Sequence, residues 1–335
     1  MEYVTLGKTG LKVSRMGLGG IPIQRIDAQG TRKLVHQLAD EGVNYVDTAR
    51  GYTVSEEYLG YALDGIRDRF VVATKSMART REEMAADIDK SLHNLRTDHI
   101  ELYQIHNPDM KQFEQVISLG GALEALQEAK KAGKIGHIGL TAHSTEVFSR
   151  GLSCDWVETI MFPYNIVENQ GKDLIAQCKK KNVGFIAMKP LAGGAIENAG
   201  LALRYIYTNP DVTIVIPGMA DENEIKENLK ACLDTSSLSS TELKEIEEIR
   251  NRLGTNFCRR CNYCAPCTAG ISIPNVFLFA GYLNRYGLEN WARERYAGLK
   301  VKASQCIECG SCETRCPYHL PIRKMMKECA EQFGE

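Results

Sequence analysis

Short apolar runs rich in β-branched residues alternate with amphipathic stretches from the amino end to about residue 233. The runs are typical of strands, and the stretches, with apolar residues every three or four positions, of helices. The predicted strands are Arg15–Leu18, Tyr45–Asp47, Phe70–Thr74, Ile100–Ile105, Ile135–Leu140, Thr159–Phe162, Gly184–Met188 and Thr213–Ile216. Eight strands alternating with helices predict an α/β fold whose parallel sheet closes into a (β/α)8 TIM barrel. A doubly wound sheet is the alternative, but "GLGG" at Gly17–Gly20 is a weak match to its glycine fingerprint.

Elements at both ends of the barrel pattern complete the predicted architecture. Residues 3–13 predict a hairpin that closes the bottom of the barrel. After the last strand, Ser239 and Glu242 have the spacing of a capping box at the start of an amphipathic helix, which we expect to pack on the barrel exterior. We therefore predict a barrel domain over residues 1–254 and a small second domain over residues 255–335.

Charge and hydropathy exclude several classes of protein. The 41 lysines and arginines against 42 aspartates and glutamates leave a formal net charge of −1, which disfavours binding to nucleic acid or to an anionic membrane. The amino end has no basic head followed by an apolar run, and apolar stretches such as residues 276–280 are too short to span a membrane. We expect a cytoplasmic protein.

Nine of the twelve cysteines lie after residue 257, and eight of them form two groups. The groups are Cys258, Cys261, Cys264 and Cys267, and Cys306, Cys309, Cys312 and Cys316 followed by Pro317. The second group has the C-x2-C-x2-C-x3-C-P spacing of bacterial ferredoxins, in which three thiolates bind one 4Fe–4S cluster and the fourth binds another. Zinc is the alternative metal, but its sites usually pair one C-x2-C with a distant second pair. The spacing favours iron–sulfur clusters.

The same spacing divides the eight thiols between two 4Fe–4S clusters in a ferredoxin-like domain. One predicted set of ligands is Cys258, Cys261, Cys264 and Cys316, and the other is Cys267, Cys306, Cys309 and Cys312. We expect the clusters to hold together a segment that has little apolar core of its own. Phe277, Phe279 and Trp291 are expected to pack around them.

Four ionisable residues fall at the carboxyl ends of predicted strands, where barrels of this kind carry their chemistry. Asp47 and Tyr52 belong to the end of the second strand, Lys75 to the third and His106 to the fourth. Each alone has an ordinary explanation, such as a surface lysine or a core histidine. Four at the same end of three consecutive strands favour a catalytic site.

These four residues, with "IPGMADENEIKENL" after the last strand, resemble the aldo-keto reductase superfamily. The whole chain resembles the branch of that superfamily with a carboxyl-terminal ferredoxin-like segment. The resemblance implies hydride transfer between NAD(P)H and a carbonyl or alcohol, with Tyr52 as general acid, Asp47 and Lys75 tuning it, and His106 orienting the carbonyl. An ordinary tyrosine has a pKa of about 10. A nearby ammonium favours phenolate, so Lys75 would make Tyr52 a better acid at neutral pH.

The resemblance also implies a set of coenzyme contacts. Thr141 and His143 would bind the carboxamide, Lys189 and Leu191 would lie in the loop over the pyrophosphate, and the remaining contacts, which include those to the adenine, would be Gly20, Gly218, Asp221, Glu224, Glu227 and Asn228.

The chain departs from the superfamily at four positions of this site. Met188 replaces an aromatic residue that stacks on the nicotinamide in many members, and Met161 replaces a glutamine. Gly218 and Glu224 stand where NADPH-selective members carry basic residues for the 2′-phosphate. Acidic residues around Glu224 would repel that phosphate, so we predict a weak preference for NADH.

The sequence leaves two main classes of function open. The first is a carbonyl reductase, or an alcohol dehydrogenase in the reverse direction, whose two clusters are structural or transfer electrons. The second is an iron–sulfur electron-transfer protein in which the barrel is mainly a scaffold or docking surface. A small carbonyl or alcohol is the expected partner of the first and a redox protein of the second. A zinc-binding interaction module is a third, weaker alternative.

Overall fold

The computed structural model describes residues 1–254 and 256–335. The described residues divide into two compact units, one of Met1–Leu191 with Asn198–Leu238 and one of Ala192–Glu197 with Ser239–Glu335. Thr255, the first residue of the predicted second domain, lies outside the described residues.

The first unit is the predicted barrel. A hairpin of β1 (Tyr3–Thr5) and β2 (Lys12–Ser14) precedes the barrel strands β3 (Leu18–Gly19), β4 (Tyr45–Asp47), β5 (Val71–Ser76), β6 (Ile100–His106), β7 (Ile135–Thr141), β8 (Thr159–Pro163), β9 (Gly184–Met188) and β10 (Ile214–Ile216). Each barrel strand pairs in parallel with its neighbours in sequence. Parallel bridges from Met16 to Val215 and from Gly19 to Gly218 join the first strand to the last. The (β/α)8 prediction is confirmed.

Helices follow the strands around the barrel and make up most of the second unit. Those of the first unit are α1 (Ala28–Asp40), α2 (Ser55–Ala62), α3 (Arg81–Asn94), α4 (Met110–Ile117), α5 (Ala122–Lys131), α6 (Thr145–Leu152), α7 (Lys172–Lys180), α8 (Ala199–Tyr207) and α9 (Glu222–Leu233). Those of the second are α10 (Ser240–Gly254), α11 (Ile273–Asn284), α12 (Glu289–Ala297), α13 (Ser311–Arg315) and α14 (Ile322–Phe333). In the part of the chain that the structure describes, no helix has the length and apolar composition of a membrane span.

The barrel has two separate apolar cores. One fills the space between strands and helices, and the other fills the barrel interior with residues that include Tyr45, Leu102 and Met161. Leu6 and Val13 of the hairpin segment belong to the interior core. The hairpin therefore closes the barrel at the amino ends of its strands, as predicted.

The second unit differs from the sequence prediction in two respects. Helix α10, predicted to pack on the barrel exterior, belongs by its contacts to this unit, and its Leu243 is 55% exposed while Ile246 and Ile249 are buried. The Tyr282 ring stacks on Trp291 with centroids 4.4 Å apart, and the rings of Tyr286 and Phe279 lie 5.4 and 6.2 Å from it. Aromatic stacking between α11 and α12 thus supplies an apolar core that the sequence did not reveal.

Candidate active site and cluster-binding loops

Asp47 and Lys75 form a buried ion pair inside the barrel. The Lys75 ammonium donates to Asp47 Oδ2 and to the Thr48 carbonyl oxygen, the latter at 2.8 Å. Gln104 Nε2 donates to the other carboxylate oxygen of Asp47 at 3.1 Å. Parallel pairing of β4, β5 and β6 brings these side chains together, since Asp47 lies beside Ala73 and Lys75 beside Gln104 in the register. Both charges therefore have partners where water cannot solvate them.

Tyr52 and His106 complete the predicted set of four. Lys75 Nζ lies 4.8 Å from the centroid of the Tyr52 ring, and the Tyr52 and His106 rings meet edge to face with centroids 6.0 Å apart. Tyr52 belongs to the loop that leaves β4, and His106 is the last residue of β6. The structure thus brings all four side chains together at the carboxyl ends of the strands.

Burial opposes the charges of this pair. It lowers the pKa of the Lys75 ammonium, and the neighbouring Asp47 carboxylate counteracts that effect. Burial likewise raises the pKa of the Asp47 carboxyl, and Lys75 and Gln104 counteract it. An ammonium that is costly to keep charged in this site releases more free energy when an anion forms beside it. The arrangement therefore suits stabilisation of a phenolate at Tyr52.

The residues predicted to contact the coenzyme lie at the same end of the barrel. Thr141 ends β7, and its Oγ1 accepts a hydrogen bond from the Asn107 N–H at 2.9 Å. His143 Nδ1 lies 2.9 Å from Asn107 Oδ1. Lys189 follows β9 with a φ of 55° and its carbonyl accepts from Asn165 Nδ2. Leu191 follows Lys189 in the same loop.

Two glycines of this set lie where backbone segments approach closely. A Cβ on Gly20 would stand 2.6 Å from the carbonyl oxygen of Asp47. A Cβ on Gly218 would stand 2.6 Å from the Pro22 ring, beside the bridge that closes the barrel. Any side chain at either position would displace the rim of the barrel at the carboxyl ends of its strands.

Carboxylates of the chain itself accept hydrogen bonds from the backbone N–H groups at the start of α9. Asp221 caps the helix by accepting from the Asn223 and Glu224 N–H groups at 2.8 and 3.0 Å. Glu224 accepts from the Ala220 N–H at 2.6 Å and pairs with Arg25 at 3.3 Å. Further along α9, Glu227 is exposed and Asn228 is buried. Glu224 therefore has a cationic partner that the sequence did not indicate.

The two cysteine groups have matching backbone conformations. In each, the residue before the second cysteine and the residue after it have positive φ: Arg260 at 57° and Asn262 at 68°, Glu308 at 52° and Gly310 at 75°. Left-handed residues turn the chain sharply, which lets closely spaced thiols face one volume. The repeated conformation indicates two loops built for the same task.

Two cavities of the second unit lie among these loops. One is lined by the four thiols of Cys258, Cys261, Cys264 and Cys316. The other is lined by the four thiols of Cys267, Cys306, Cys309 and Cys312. Apolar side chains such as Ile273 and Ile322 line both cavities. Four thiols in an apolar surround are the donor set that a 4Fe–4S cluster requires, so the residues fit such a group.

As free thiols, several of these cysteines would be protonated at neutral pH. Burial raises the pKa of Cys258 to about 11 and that of Cys264 to about 12. Because metals bind the thiolate, loading these sites would release protons.

Comparison with known families matches the sequence to two of them. The profile described as "Aldo/keto reductase family" matches residues 15–201 and 196–251, most of the chain. The chain belongs to the aldo/keto reductase family. A second profile, "4Fe-4S dicluster domain", matches residues 257–321, a range that contains all eight cysteines of the two loops.

Individual relatives agree with this family. L-galactose dehydrogenase of Arabidopsis thaliana is 28% identical over an alignment of 305 positions that covers 74% of this chain and 94% of the plant protein. The aldo-keto reductase YhdN of Bacillus subtilis is 30% identical over an alignment of 201 positions that covers 54% of this chain and 59% of the relative.

Solved structures of aldo-keto reductases share the fold. A putative aldo-keto reductase from Pseudomonas aeruginosa, 27% identical, superposes with a TM-score of 0.62 and covers 69% of this chain and 93% of its own. A Bacillus halodurans aldo-keto reductase in its holo form superposes with a TM-score of 0.64 over 74% of this chain and 96% of its own. At 23% identity the second likeness concerns the fold alone.

Two site residues of this aldo/keto reductase were missed by sequence reasoning. Gln104 binds Asp47, and Asn107 contacts both Thr141 and His143. Gln104 and His106 are two positions apart on one strand, so their side chains point to the same face. That alternation was the available signal. Asn107, with a φ of 45°, had no comparable signal because its contacts come from the neighbouring strand.

Proposed function

We propose that the protein is a cytoplasmic, NAD(P)H-dependent carbonyl reductase, or an alcohol dehydrogenase in the reverse direction, that carries two 4Fe–4S clusters. The observation that carries the proposal is the convergence of Asp47, Tyr52, Lys75 and His106 at the carboxyl ends of three neighbouring strands. Family membership supports the reaction class. A small-molecule carbonyl or alcohol is the proposed substrate.

Each of the four residues has a chemical task in this proposal. A bound nicotinamide supplies the hydride. Tyr52 donates a proton to the carbonyl oxygen of the substrate, and Lys75 stabilises the phenolate that forms when Tyr52 loses this proton. Asp47 holds Lys75 in place and offsets the cost of burying its charge. Neutral His106 donates a hydrogen bond to the same oxygen as negative charge develops there.

We propose the coenzyme contacts implied by the family resemblance, with Gly20, Thr141, His143, Lys189 and Leu191 toward the nicotinamide and pyrophosphate. The segment from Gly218 to Asn228, with Asp221, Glu224 and Glu227, would face the adenosine end. The carboxylate of Glu224 already occupies both the Ala220 N–H and the Arg25 guanidinium. A 2′-phosphate would have to displace it against like charge, which supports a preference for NADH.

We propose that the two cysteine-lined cavities hold the two clusters, in crossed ligand sets, within a carboxyl-terminal domain that includes residues 255–335. Cys316 would join Cys258, Cys261 and Cys264, and Cys267 would join Cys306, Cys309 and Cys312. When bound, the clusters supply one-electron redox chemistry or cross-link the domain. If the clusters transfer electrons, a redox protein is the expected partner.

Anaerobic purification and a coenzyme assay test this function. We expect a brown protein that oxidises NADH only when a carbonyl compound is added. Colour without turnover over a broad panel of aldehydes and ketones would favour the electron-transfer alternative. A colourless folded protein that contains zinc would contradict the cluster assignment.

Replacing Glu224 by glutamine is expected to raise the ratio of kcat/KM for NADPH to that for NADH roughly tenfold, because the change removes an anion and frees Arg25 for a phosphate. Glu222→Gln is the matched control, since Glu222 lies in the same first turn of α9 and pairs with Lys226 instead. A clear NADPH preference in the wild-type protein, or an equal change in both variants, would contradict the role of Glu224.

A further inference from the structure

A buried carboxylate lies behind the strand that carries Lys75. Glu56, in the first turn of α2, has a side chain only 1% exposed. It is bound by donors from three other elements: Arg50, Thr74 Oγ1 at 2.8 Å, Ser91 Oγ at 2.8 Å and Asn94 Nδ2 at 3.2 Å. A carboxylate so far from water is tolerated only because its lone pairs are satisfied. The roles proposed above for the four catalytic residues do not account for it.

Arg50 connects this carboxylate to the loop that carries Tyr52. The Arg50 guanidinium pairs with Glu56 and lies 3.5 Å from Asp87 of α3. The Arg50 backbone N–H donates to the carbonyl oxygen of Lys75 at 3.0 Å. Arg50 precedes Tyr52 by two residues. Its side chain ties the Tyr52 loop to Glu56 and Asp87, and its backbone N–H ties the same loop to β5.

The network also fixes β5 on its outer face. Thr74 donates to Glu56, and Ser76 donates to Asp87. Side chains alternate along a strand, so Lys75 between them points to the opposite face, where it meets Asp47. The strand that carries Lys75 and the loop that carries Tyr52 are therefore held by the same buried group.

We propose that Glu56 and Arg50 are positioning residues that hold the Tyr52 loop against β5, so that the Tyr52 ring stays beside the Lys75 ammonium. The proposal rests on the proposed function for the task of Tyr52. Displacing a catalytic group by about 1 Å can cost roughly 10²-fold in rate. We expect Glu56→Gln to lower kcat by ~10- to 10²-fold while the dissociation constant for NADH changes little.

The pKa of Tyr52 distinguishes a positioning role of Glu56 from a direct effect of its charge. Removing the anion of Glu56 would by itself lower the pKa of the Tyr52 phenol. Loosening the loop would raise that pKa, because the phenolate would lose the Lys75 ammonium. As long as Lys75 stays protonated, the two explanations predict opposite signs. Because the Glu56 carboxylate also raises the pKa of the Lys75 ammonium, the charge of Lys75 is followed in the same titration. Asp47, which pairs with Lys75, and His106, which meets the Tyr52 ring edge to face, are ionisable groups of the same site that Glu56→Gln leaves unchanged.

The test is a pH titration of the coenzyme-free protein by NMR, with tyrosine labelled with carbon-13 at Cζ and the Tyr52 signal assigned by its loss in Tyr52→Phe. We expect Glu56→Gln to raise the pKa of Tyr52 by about one unit. Arg50→Lys is the second variant, should Glu56→Gln not fold. It keeps the charge, but an ammonium cannot span Glu56 and Asp87 as a guanidinium fork does, so we expect a rise there too.

Arg67→Met is the matched control. Arg67 pairs with Glu101 at 2.8 Å, both side chains are 20% exposed, and the pair lies at the amino ends of β5 and β6. This variant should lose stability without changing the ionisation of Tyr52. A Tyr52 pKa that is unchanged or lowered in Glu56→Gln and unchanged in Arg50→Lys would overturn the proposal, as would an equal rise in Arg67→Met. A wild-type protein that reduces no carbonyl would contradict the proposed function instead, because this titration needs no turnover.

Discussion

Replacing Tyr52 by phenylalanine is expected to lower kcat for carbonyl reduction by at least ~10²-fold, because the substitution removes the proton donor and keeps the ring. Lys75 and His106 contact the ring itself: Lys75 Nζ lies 4.8 Å from the ring centroid, and the His106 ring centroid lies 6.0 Å from it. The packing of the site should therefore survive. Steady-state kinetics with a saturating carbonyl, and NADH binding followed by fluorescence, measure the two effects separately.

Tyr58→Phe provides the control for this variant. Tyr58 is the fourth residue of α2, six positions after Tyr52, and is partly buried against the core between strands and helices. Loss of its hydroxyl should leave kcat within about twofold of the wild-type value, since a residue away from special features tolerates such a change. Near-normal turnover of Tyr52→Phe would remove Tyr52 from the mechanism.

The second large effect concerns the cysteine loops. Cys258→Ala and Cys267→Ala, nine residues apart in one loop, are expected to damage different clusters. Cys258 lines a cavity with Cys316, whereas Cys267 lines the cavity of Cys306, Cys309 and Cys312. Each variant should keep about half of the iron, and each should lose stability because cluster binding contributes to the folding free energy of the domain.

Iron and sulfide counts with electron paramagnetic resonance of the reduced proteins measure this outcome. The two variants should retain different spectra, which together reproduce the wild-type signal apart from any coupling between clusters. Cys178→Ala, which changes a buried thiol of the barrel, should retain both clusters. Identical surviving spectra from Cys258→Ala and Cys267→Ala would contradict the crossed sets and favour two local quartets.

Most of the barrel follows from local sequence signals. Strands such as Tyr45–Asp47 and Gly184–Met188 were predicted with their observed bounds, because a fully buried strand is a short, continuous apolar run. Thr80 and Glu83 have the three-residue spacing of a capping box, and they form one at the start of α3. The first strand is shorter than predicted, at Leu18–Gly19, since the residues before it only bridge to β10 where the barrel closes.

The candidate site was less predictable beyond its four central residues. Those residues follow strand ends, so the periodicity that reveals the strands also reveals the residues. Arg25 and Glu224 are 199 positions apart, and no local pattern links them. Glu56 likewise reads as an exposed acid at a helix start, and only the packing of α2 on β5 and α3 buries it. Pairing that depends on tertiary structure leaves no trace in sequence spacing.

Hydride transfer is the central claim, and isotope transfer tests it most directly. The protein, purified anaerobically with its clusters, would be incubated with a carbonyl substrate and NADH deuterated at C4 of the nicotinamide, using each diastereomer in turn. We predict that one diastereomer transfers its deuterium to the carbinol carbon of the product, as mass spectrometry would show. A product whose new carbon-bound hydrogen comes from solvent with both diastereomers would contradict direct hydride transfer and favour reduction by electrons from the clusters.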